Sequence, residues 1–368
     1  NYSRKVVKFM SENKFYDGTK LMGMKDINGN TPEIFICTSN RSAGKTTFFN
    51  RYAFKKWLKK KEKFLILTRY DYELPNIGDR FFKEIRELFF PNCSMFTEKR
   101  AGGTIYELMV YQGEQTEKKS CGYAVAINKA DQVKKYSHFL ADVTCIIFDE
   151  FQSETNNYAP DEITKFISIH TSVARGGGKQ VRYVPVYMIS NPVTLLNPYY
   201  LSLGTGTQYS LIKRLQWNTK FLRGVGWVLE QGFNESASVC QKESAFNQAF
   251  ANNTYVAYSS EGTYLRDDNS FVDKPSGKCN YICTLKFNNI NYGVYDYMEE
   301  GYYYCSTSYD KTSQYKLAVT NSDHQINYRL LRSNIFIIQK LRTMYDCGLF
   351  RFKDLNCKEC LMTALSYG

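Results

Sequence analysis

An α/β domain on a mainly parallel sheet, followed by a helical linker and a small α+β domain, is the fold this sequence predicts. Three observations predict it. The apolar runs 33–37 (EIFIC), 143–148 (VTCIIF) and 184–189 (VPVYMI) have the unbroken pattern of parallel strands buried on both faces. Each run ends in small polar or acidic residues, and the first opens through a short loop into an amphipathic helix. After about Leu201 the pattern changes to loop, then a helical stretch, then strands and turns.

The chain has 368 residues, enough for two domains. A hydrophobic fraction of 43% with 16% aromatics excludes global disorder. Lys and Arg number 48 against 36 Asp and Glu, a net charge of +12. That balance suits a polyanionic partner, nucleic acid first, although a merely soluble basic protein would share it. The start, NYSRKVVKFMSENKFYDG, lacks the continuous apolar core of a secretory signal. No apolar run approaches the ~20 residues needed to cross a bilayer, so no membrane partner is expected. Eleven cysteines are scattered, and Cys37 and Cys145 lie inside strand-like runs, which suits buried, reduced thiols in a cytosol.

The first run leads into Ser39-Asn40-Arg41-Ser42-Ala43-Gly44-Lys45-Thr46-Thr47. A strand, a loop of this kind and a helix form a phosphate cradle, because loop and helix N–H groups converge on an anion. Lys45 is expected to reach the β- and γ-phosphates of ATP and Thr46 to ligate Mg²⁺. Gly44 lets the backbone approach the phosphates. Ser39 stands where the G-x-x-x-x-G-K-[ST] pattern has glycine, so a seryl residue must fit the turn. In the helix that follows, Phe48, Tyr52 and Phe54 are candidates for its inner side.

The second run ends in Asp149-Glu150. At the C-terminal edge of a parallel sheet, Asp149 would hold Mg²⁺ and Glu150 would polarise the attacking water. A lone acidic pair is otherwise a solvated strand end. The third run ends in Ser190-Asn191, whose amide could bond the γ-phosphate or the lytic water, although SNP is also ordinary turn chemistry.

These three segments, SNRSAGKTT (39–47), IIFDEF (146–151) and MISNP (188–192), together resemble the large terminase family of phage DNA-packaging motors, and among them the compact encapsidation ATPases of phi-29-like podoviruses. Arg41 inside the loop is a habit of that family. The resemblance covers about residues 30–200. It implies an ASCE-type P-loop NTPase that uses ATP and Mg²⁺ to drive double-stranded DNA into a procapsid. It also implies a homo-oligomeric ring, expected to be a pentamer, at the portal vertex in the host cytoplasm and absent from the mature virion, with a portal-associated structural RNA as a further partner. A neighbour's arginine would complete each site, since a guanidinium near the γ-phosphate is worth ~10³–10⁵ in rate. Arg175, which precedes three glycines, is the candidate, with a solvated loop arginine as the alternative. Lys134 and Lys135 are second candidates. Lys55, Lys56, Lys59, Lys60, Lys61 and Lys63 read as a solvated helix face, with a nucleic-acid surface as the minority reading. Arg69 ends the next apolar strand and is a candidate contact to base or ribose.

The expected divisions are an ATPase domain at 1–230, a single helix forming a linker or lid at 231–261, and a last domain at 262–368, which the resemblance implies is RNase H-like, with an acid expected two residues after a glycine of its first strand. The segment WNTKFLRGVGWVLEQ reads as one strand closing the ATPase sheet. In NYGVYDYM, taken as the first strand of the last domain, Gly293 is followed two places on by Tyr295, with Asp296 one place late. A one-residue slip turns a side chain to the other face, so the nuclease centre is expected to be lost, an active nuclease on Asp296 being the opposing reading. Lys286, Lys311, Lys316, Arg329, Arg332, Arg351 and Lys353 would then grip nucleic-acid phosphates. Cys279, Cys283, Cys357 and Cys360 have tolerable zinc spacing but a weak strand context, and His138, His170 and His324 show no ligand spacing. Two other functions remain open at this level: a helicase-like ATPase that remodels nucleic acid, and a binder in which nucleotide only sets conformation.

Overall fold

The computed structural model describes residues 15–113, 117–155, 157–175, 180–195, 197–203, 219–262, 264–265, 270, 272–297 and 299–367. The chain divides into two compact units, one of residues 1–153, 157–193 and 217–263, the other of 154–156, 194–216 and 264–368.

Among the described residues, the first unit has nine strands: β1 (Ile34–Thr38), β2 (Lys63–Thr68), β3 (Cys93–Arg100), β4 (Ile105–Gln112), β5 (Lys119–Ala126), β6 (Val143–Asp149), β7 (Val186–Ser190), β8 (Phe221–Gly224) and β9 (Trp227–Gln231). They form one sheet in the order β3-β4-β5-β2-β6-β7-β1-β9-β8. From β5 to β9 every neighbouring pair is parallel, and antiparallel strands finish both edges. Strand β7 lies between β1 and β6, as an ASCE-type sheet requires. Thr38 pairs with Ser190 and Asp149 with Ile189, so β1, β6 and β7 finish level at one edge.

The unbroken apolar runs are explained by burial on both faces. Phe35, Cys37, Cys145, Ile147, Tyr187 and Ile189 share a core with helices α1 (Lys45–Lys60) and α2 (Ile77–Phe89). Across the sheet, Phe148 meets Phe166 of helix α4 (Glu162–Ala174), with ring centroids 6.0 Å apart. The short helix α3 (Ala130–Lys135) packs on α4. Phe49, Ala53, Phe54 and Trp57 form the inner face of α1, whereas Phe48 and Tyr52, expected there, are half-buried at its margin. The expected single strand near Trp227 is a hairpin from Phe221 on, in which β9 pairs with β1. Its turn demands glycine: a Cβ on Gly224 would lie 2.1 Å from the Trp227 ring.

The linker segment also differs from expectation. It forms three short helices, α5 (Glu235–Glu243), α6 (Ala245–Ala249) and α7 (Thr254–Glu261), and it is counted with the first unit. The cause is local. Asn234, Ser244 and Asn253 each accept a backbone N–H at a helix start, dividing one periodic stretch into three capped pieces.

In the second unit, β10 (Asn280–Phe287), β11 (Ile290–Tyr297), β12 (Tyr302–Ser306), β13 (Lys316–Ala318), β14 (Arg329–Leu330) and β15 (Phe350–Phe352) form a sheet ordered β14-β13-β10-β11-β12-β15. Strands β10 to β12 are an antiparallel meander, and β13 joins β10 in parallel. Helix α8 (Ile335–Asp346) packs on α9 (Leu355–Tyr367), which also covers β10 and β12. The strand bearing Asp296 is thus the second of the meander, not the first. Asn288 and Asn289, both at left-handed φ (50° and 61°), make the tight turn that precedes it. The first strand, NYICTLKF, carries no carboxylate.

Candidate nucleotide site

The loop after β1 delivers its residues to the level edge of the sheet. Ser39 lies outside the residues with positive φ; the left-handed geometry falls instead on Ser42 (φ 60°) and Gly44 (φ 89°). A serine in the first position therefore costs the turn nothing. A Cβ on Gly44 would meet the Phe15 ring at 3.0 Å, besides straining the backbone.

Lys45 is buried and bent back on the loop. Its Nζ donates to Ser39 O (2.9 Å), Ser39 Oγ (3.0 Å), Asn40 O (3.0 Å) and Asn191 Oδ1 (3.2 Å). Burial pushes the ammonium down to about 8, Arg41 adds to the effect, and Cys37 and Asp149 oppose it. Thr46 Oγ1 donates to Asp149 Oδ2 at 3.0 Å. Burial raises Asp149 above the usual carboxylate range, and the neighbouring Glu150 charge raises it further. A hydroxyl and a carboxylate brought together in this way form a donor set that fits a magnesium ion. Lys45, Thr46, Asp149 and Asn191, read from three separate segments, thus converge.

Glu150 extends outward at left-handed φ (56°), exposed, with Oε2 3.5 Å from Arg80 Nη2. Arg80 also pairs with Glu73 at 3.2 Å. Neither partner had a sequence signal, since both lie in stretches without a motif. Ala43 is buried and its carbonyl accepts from Tyr16 N at 2.8 Å, while Thr47 is half-buried in the first turn of α1.

Three loop residues face elsewhere through their side chains. Asn40, fully buried, donates to Asn234 O (3.0 Å) and Ser260 O (3.4 Å) and accepts from Asn234 N (2.8 Å). Arg41 lies over the rings of Tyr255 (5.3 Å) and Tyr258 (5.9 Å), and its N–H donates to Ser259 O. Ser42 Oγ accepts from Gln241 at 3.0 Å. Helices α5 and α7 are therefore fastened to the phosphate loop.

Arg69 does not face a base or ribose. It is buried under the end of β6, paired with Glu162 at 3.1 Å. Arg175 follows α4, whose 13 residues span about 20 Å, and Arg182 bonds back to Val143 O, Val173 O and Ala174 O. Val143 begins β6, so Arg175 lies at the sheet edge opposite Glu150 of its own chain. Lys134 and Lys135 are exposed on α3, Lys134 paired with Asp131 at 3.6 Å.

In the second unit, Lys286 is buried beneath the Tyr328 ring and cannot grip a phosphate at the surface, whereas Lys311, Arg329, Arg332 and Lys353 are exposed. Among the described residues no group of three His, Cys, Asp or Glu side chains could hold a metal, whether around Asp296 or the four cysteines. Cys283, Cys357 and Cys360 are buried, and Cys279 is exposed. His170 bonds Val184 O at 3.0 Å. No helix among the described residues is long and apolar enough to cross a membrane.

A parallel sheet with a phosphate loop, a carboxylate strand and an interposed strand defines a P-loop NTPase fold. Residues 10–365 match the family model of the podovirus DNA encapsidation protein (Gp16), and the chain belongs to that family, whose function is DNA encapsidation. It is 22% identical over 349 residues to the DNA packaging protein of Bacillus phage PZA, covering 94% of this chain and 95% of that protein. It is 25% identical over 335 residues to the DNA packaging protein of Bacillus phage B103, covering 89% and 93%. Among solved structures, the phi-28 gp11 DNA packaging motor shares the fold at a TM-score of 0.56 and 16% identity, covering 96% of this chain and 98% of that one. The bacteriophage phi-29 genome packaging motor assembly shares it at 0.51 and 20% identity, covering 92% and 95%.

Proposed function

We propose that this chain hydrolyses Mg²⁺–ATP to drive double-stranded DNA through the portal into a procapsid. The observation that carries the reading is the convergence of Lys45, Thr46, Asp149 and Asn191 at one sheet edge. With nucleotide bound, Lys45 would hold phosphate oxygens in place of the Ser39 and Asn40 carbonyls, and Thr46 and Asp149 would hold the cation that neutralises their charge. Glu150, one residue on, orients the lytic water, and Asn191 touches the γ-phosphate end. ATP and Mg²⁺ supply the phosphoryl group and its charge neutralisation.

The second part of the reading is a homomeric ring, with five copies as the resemblance implies, working at the portal vertex in the host cytoplasm. Arg175 is the candidate for the contact in trans: it lies at the edge remote from its own Glu150, so a role at a nucleotide site would be at that of another copy. Lys134 and Lys135 are alternative contacts in trans. Residues 1–230 are read as the motor domain, 231–261 as a lid and 262–368 as an RNase H-like nucleic-acid domain without nuclease activity, able to meet DNA or a portal-associated RNA.

Duplex DNA added to the full chain should stimulate ATP hydrolysis, and hydrolysis indifferent to DNA would favour a nucleotide-set binder. Purified protein with Mn²⁺ and plasmid should leave the plasmid intact; nicking that disappears in Asp296→Ala would reinstate the nuclease.

A further inference from the structure

Helix α4 ends without the left-handed residue that commonly satisfies the last carbonyls of a helix. Its C-cap is Arg175 itself, in extended conformation at φ −83° and ψ 148°. The donors come instead from Arg182. Its backbone N donates to Ala174 O at 2.8 Å and its Nη2 to Val173 O at 2.6 Å. Its Nη1 donates to Val143 O, at the start of β6, at 3.0 Å. One side chain thus joins the end of α4 to the sheet. No carboxylate among the described residues pairs with this guanidinium, whose charge complements the negative end of the α4 dipole.

The residues after Arg182 are tied down in turn. Tyr183 Oη donates to Pro32 O at 2.8 Å, and Val184 N donates to Glu33 Oε1 at 2.8 Å. The Val184 carbonyl lies 3.0 Å from Nε2 of His170, on α4. This stretch of backbone is therefore held against α4, the start of β6 and the residues that lead into β1. Val181 and Tyr183 are nevertheless exposed, at 75% and 53%, so the brace lies at the surface. A cap for stability alone needs only donors, which water or a glycine turn can supply. A planar fork that spans helix and strand also fixes the direction in which the chain leaves the helix. The residue that leaves in that direction is Arg175.

We infer that Arg182 is a positioning residue for Arg175: it holds the end of α4 against β6, so that the Arg175 side chain is presented to a second copy of the chain. The inference rests on the trans role of Arg175 proposed above. Loss of Arg182 then damages the neighbour's site and spares the variant's own. Lys45, Thr46 and Asp149 lie at the opposite edge of the sheet, so nucleotide affinity should survive while hydrolysis falls.

The test uses the full chain with Arg182→Met, which removes the fork, and Arg182→Lys, which keeps a cation but cannot span helix and strand. Single-turnover ATP hydrolysis, binding of a fluorescent ATP analogue and thermal unfolding are measured for each alone. Hydrolysis is also measured in equal mixtures with Glu150→Gln and with Arg175→Ala. Alone, both variants should lose at least ~30-fold in rate, with analogue affinity within about threefold of wild type. Mixing with Glu150→Gln should raise the rate at least ~10-fold, because that copy brings an intact arginine to a neighbour's intact carboxylate. Mixing with Arg175→Ala should restore nothing, since neither copy supplies the arginine. Any other pattern, above all rescue by Arg175→Ala, would mark damage to the variant's own site and overturn the inference. So would a folded variant that keeps its rate within about threefold of wild type. If the methionine variant does not fold, the lysine variant decides by the same criteria; unfolding of both would mark a purely structural residue. If Glu150→Gln and Arg175→Ala fail to rescue each other while wild type hydrolyses ATP, the trans reading itself is defeated.

Discussion

Thr46 and Asp149, 103 residues apart in sequence, meet through one hydrogen bond of 3.0 Å between hydroxyl and carboxylate. Both side chains would hold the magnesium ion of bound nucleotide. Separate substitutions should therefore have a common consequence. Thr46→Ala and Asp149→Asn should each lower ATP turnover by ~10²–10³-fold and raise the Mg²⁺ concentration needed for half-maximal rate. The magnesium dependence of steady-state hydrolysis checks this, and an unchanged requirement in both variants would count against a metal at this position.

Lys45 gives a pH dependence. Its ammonium is held down to about 8 by burial, below its value in the unfolded chain, so the unfolded state binds more protons from about pH 8 upward. This residue's contribution to stability therefore improves as pH rises through 8 towards the ordinary lysine value. Nucleotide binding has the opposite sign, because the triphosphate favours the charged form and draws a proton in. ATP affinity should weaken above pH 8, and calorimetry at pH 8 in buffers of different ionisation enthalpy should report proton uptake. Lys45→Met should abolish both effects.

The Asn40 side chain makes three hydrogen bonds to Asn234 and Ser260. Replacing it by alanine leaves buried backbone groups short of partners, at a cost of ~1–3 kcal/mol. Asn40→Ala should lower the unfolding midpoint and raise amide hydrogen exchange across α5 to α7 before the sheet responds. Exchange unchanged in those helices would mean they are held by other contacts.

If the chain works as a ring in which Arg175 acts in trans, loss of that residue is dominant. Arg175→Ala protein mixed with wild type should suppress ATPase activity more than in proportion to its fraction, since each altered copy disables a neighbour's site by ~10³–10⁵-fold. Linear dilution would remove Arg175 from the trans role.

The exposed charge should be read in salt. If six to ten lysines and arginines neutralise DNA phosphates, affinity falls by ~10³–10⁵ between 50 and 200 mM salt. A flat response assigns the charge to something else.

The sheet centre was legible because burial on both faces writes itself as unbroken apolar runs, and because Lys45, Thr46, Asp149, Glu150 and Asn191 sit at the ends of those runs. The hairpin strands β3 and β4 carry no such signature: Glu98, Lys99 and Glu107 interrupt their apolar residues, and they add to an edge. Arg69 was found at the right strand end but given the wrong role, because nothing local reveals Glu162, which lies 93 positions away. The three caps that divide α5 to α7 were present as Asn234, Ser244 and Asn253, and helical periodicity across them obscured the breaks. At Asp296 the mistake was one of strand order. The Asn288-Asn289 turn signalled a hairpin, and reading it would have moved the first strand to Asn280–Phe287.

The most direct measurement is a structure of the assembled protein with Mg²⁺ and a non-hydrolysable ATP analogue. Lys45 Nζ should leave the Ser39 and Asn40 carbonyls for the β- and γ-phosphates, with the cation between Thr46 and Asp149 and a neighbour's basic side chain at the γ-phosphate. A triphosphate seated away from Lys45, or a cation that neither Thr46 nor Asp149 touches, would contradict the account.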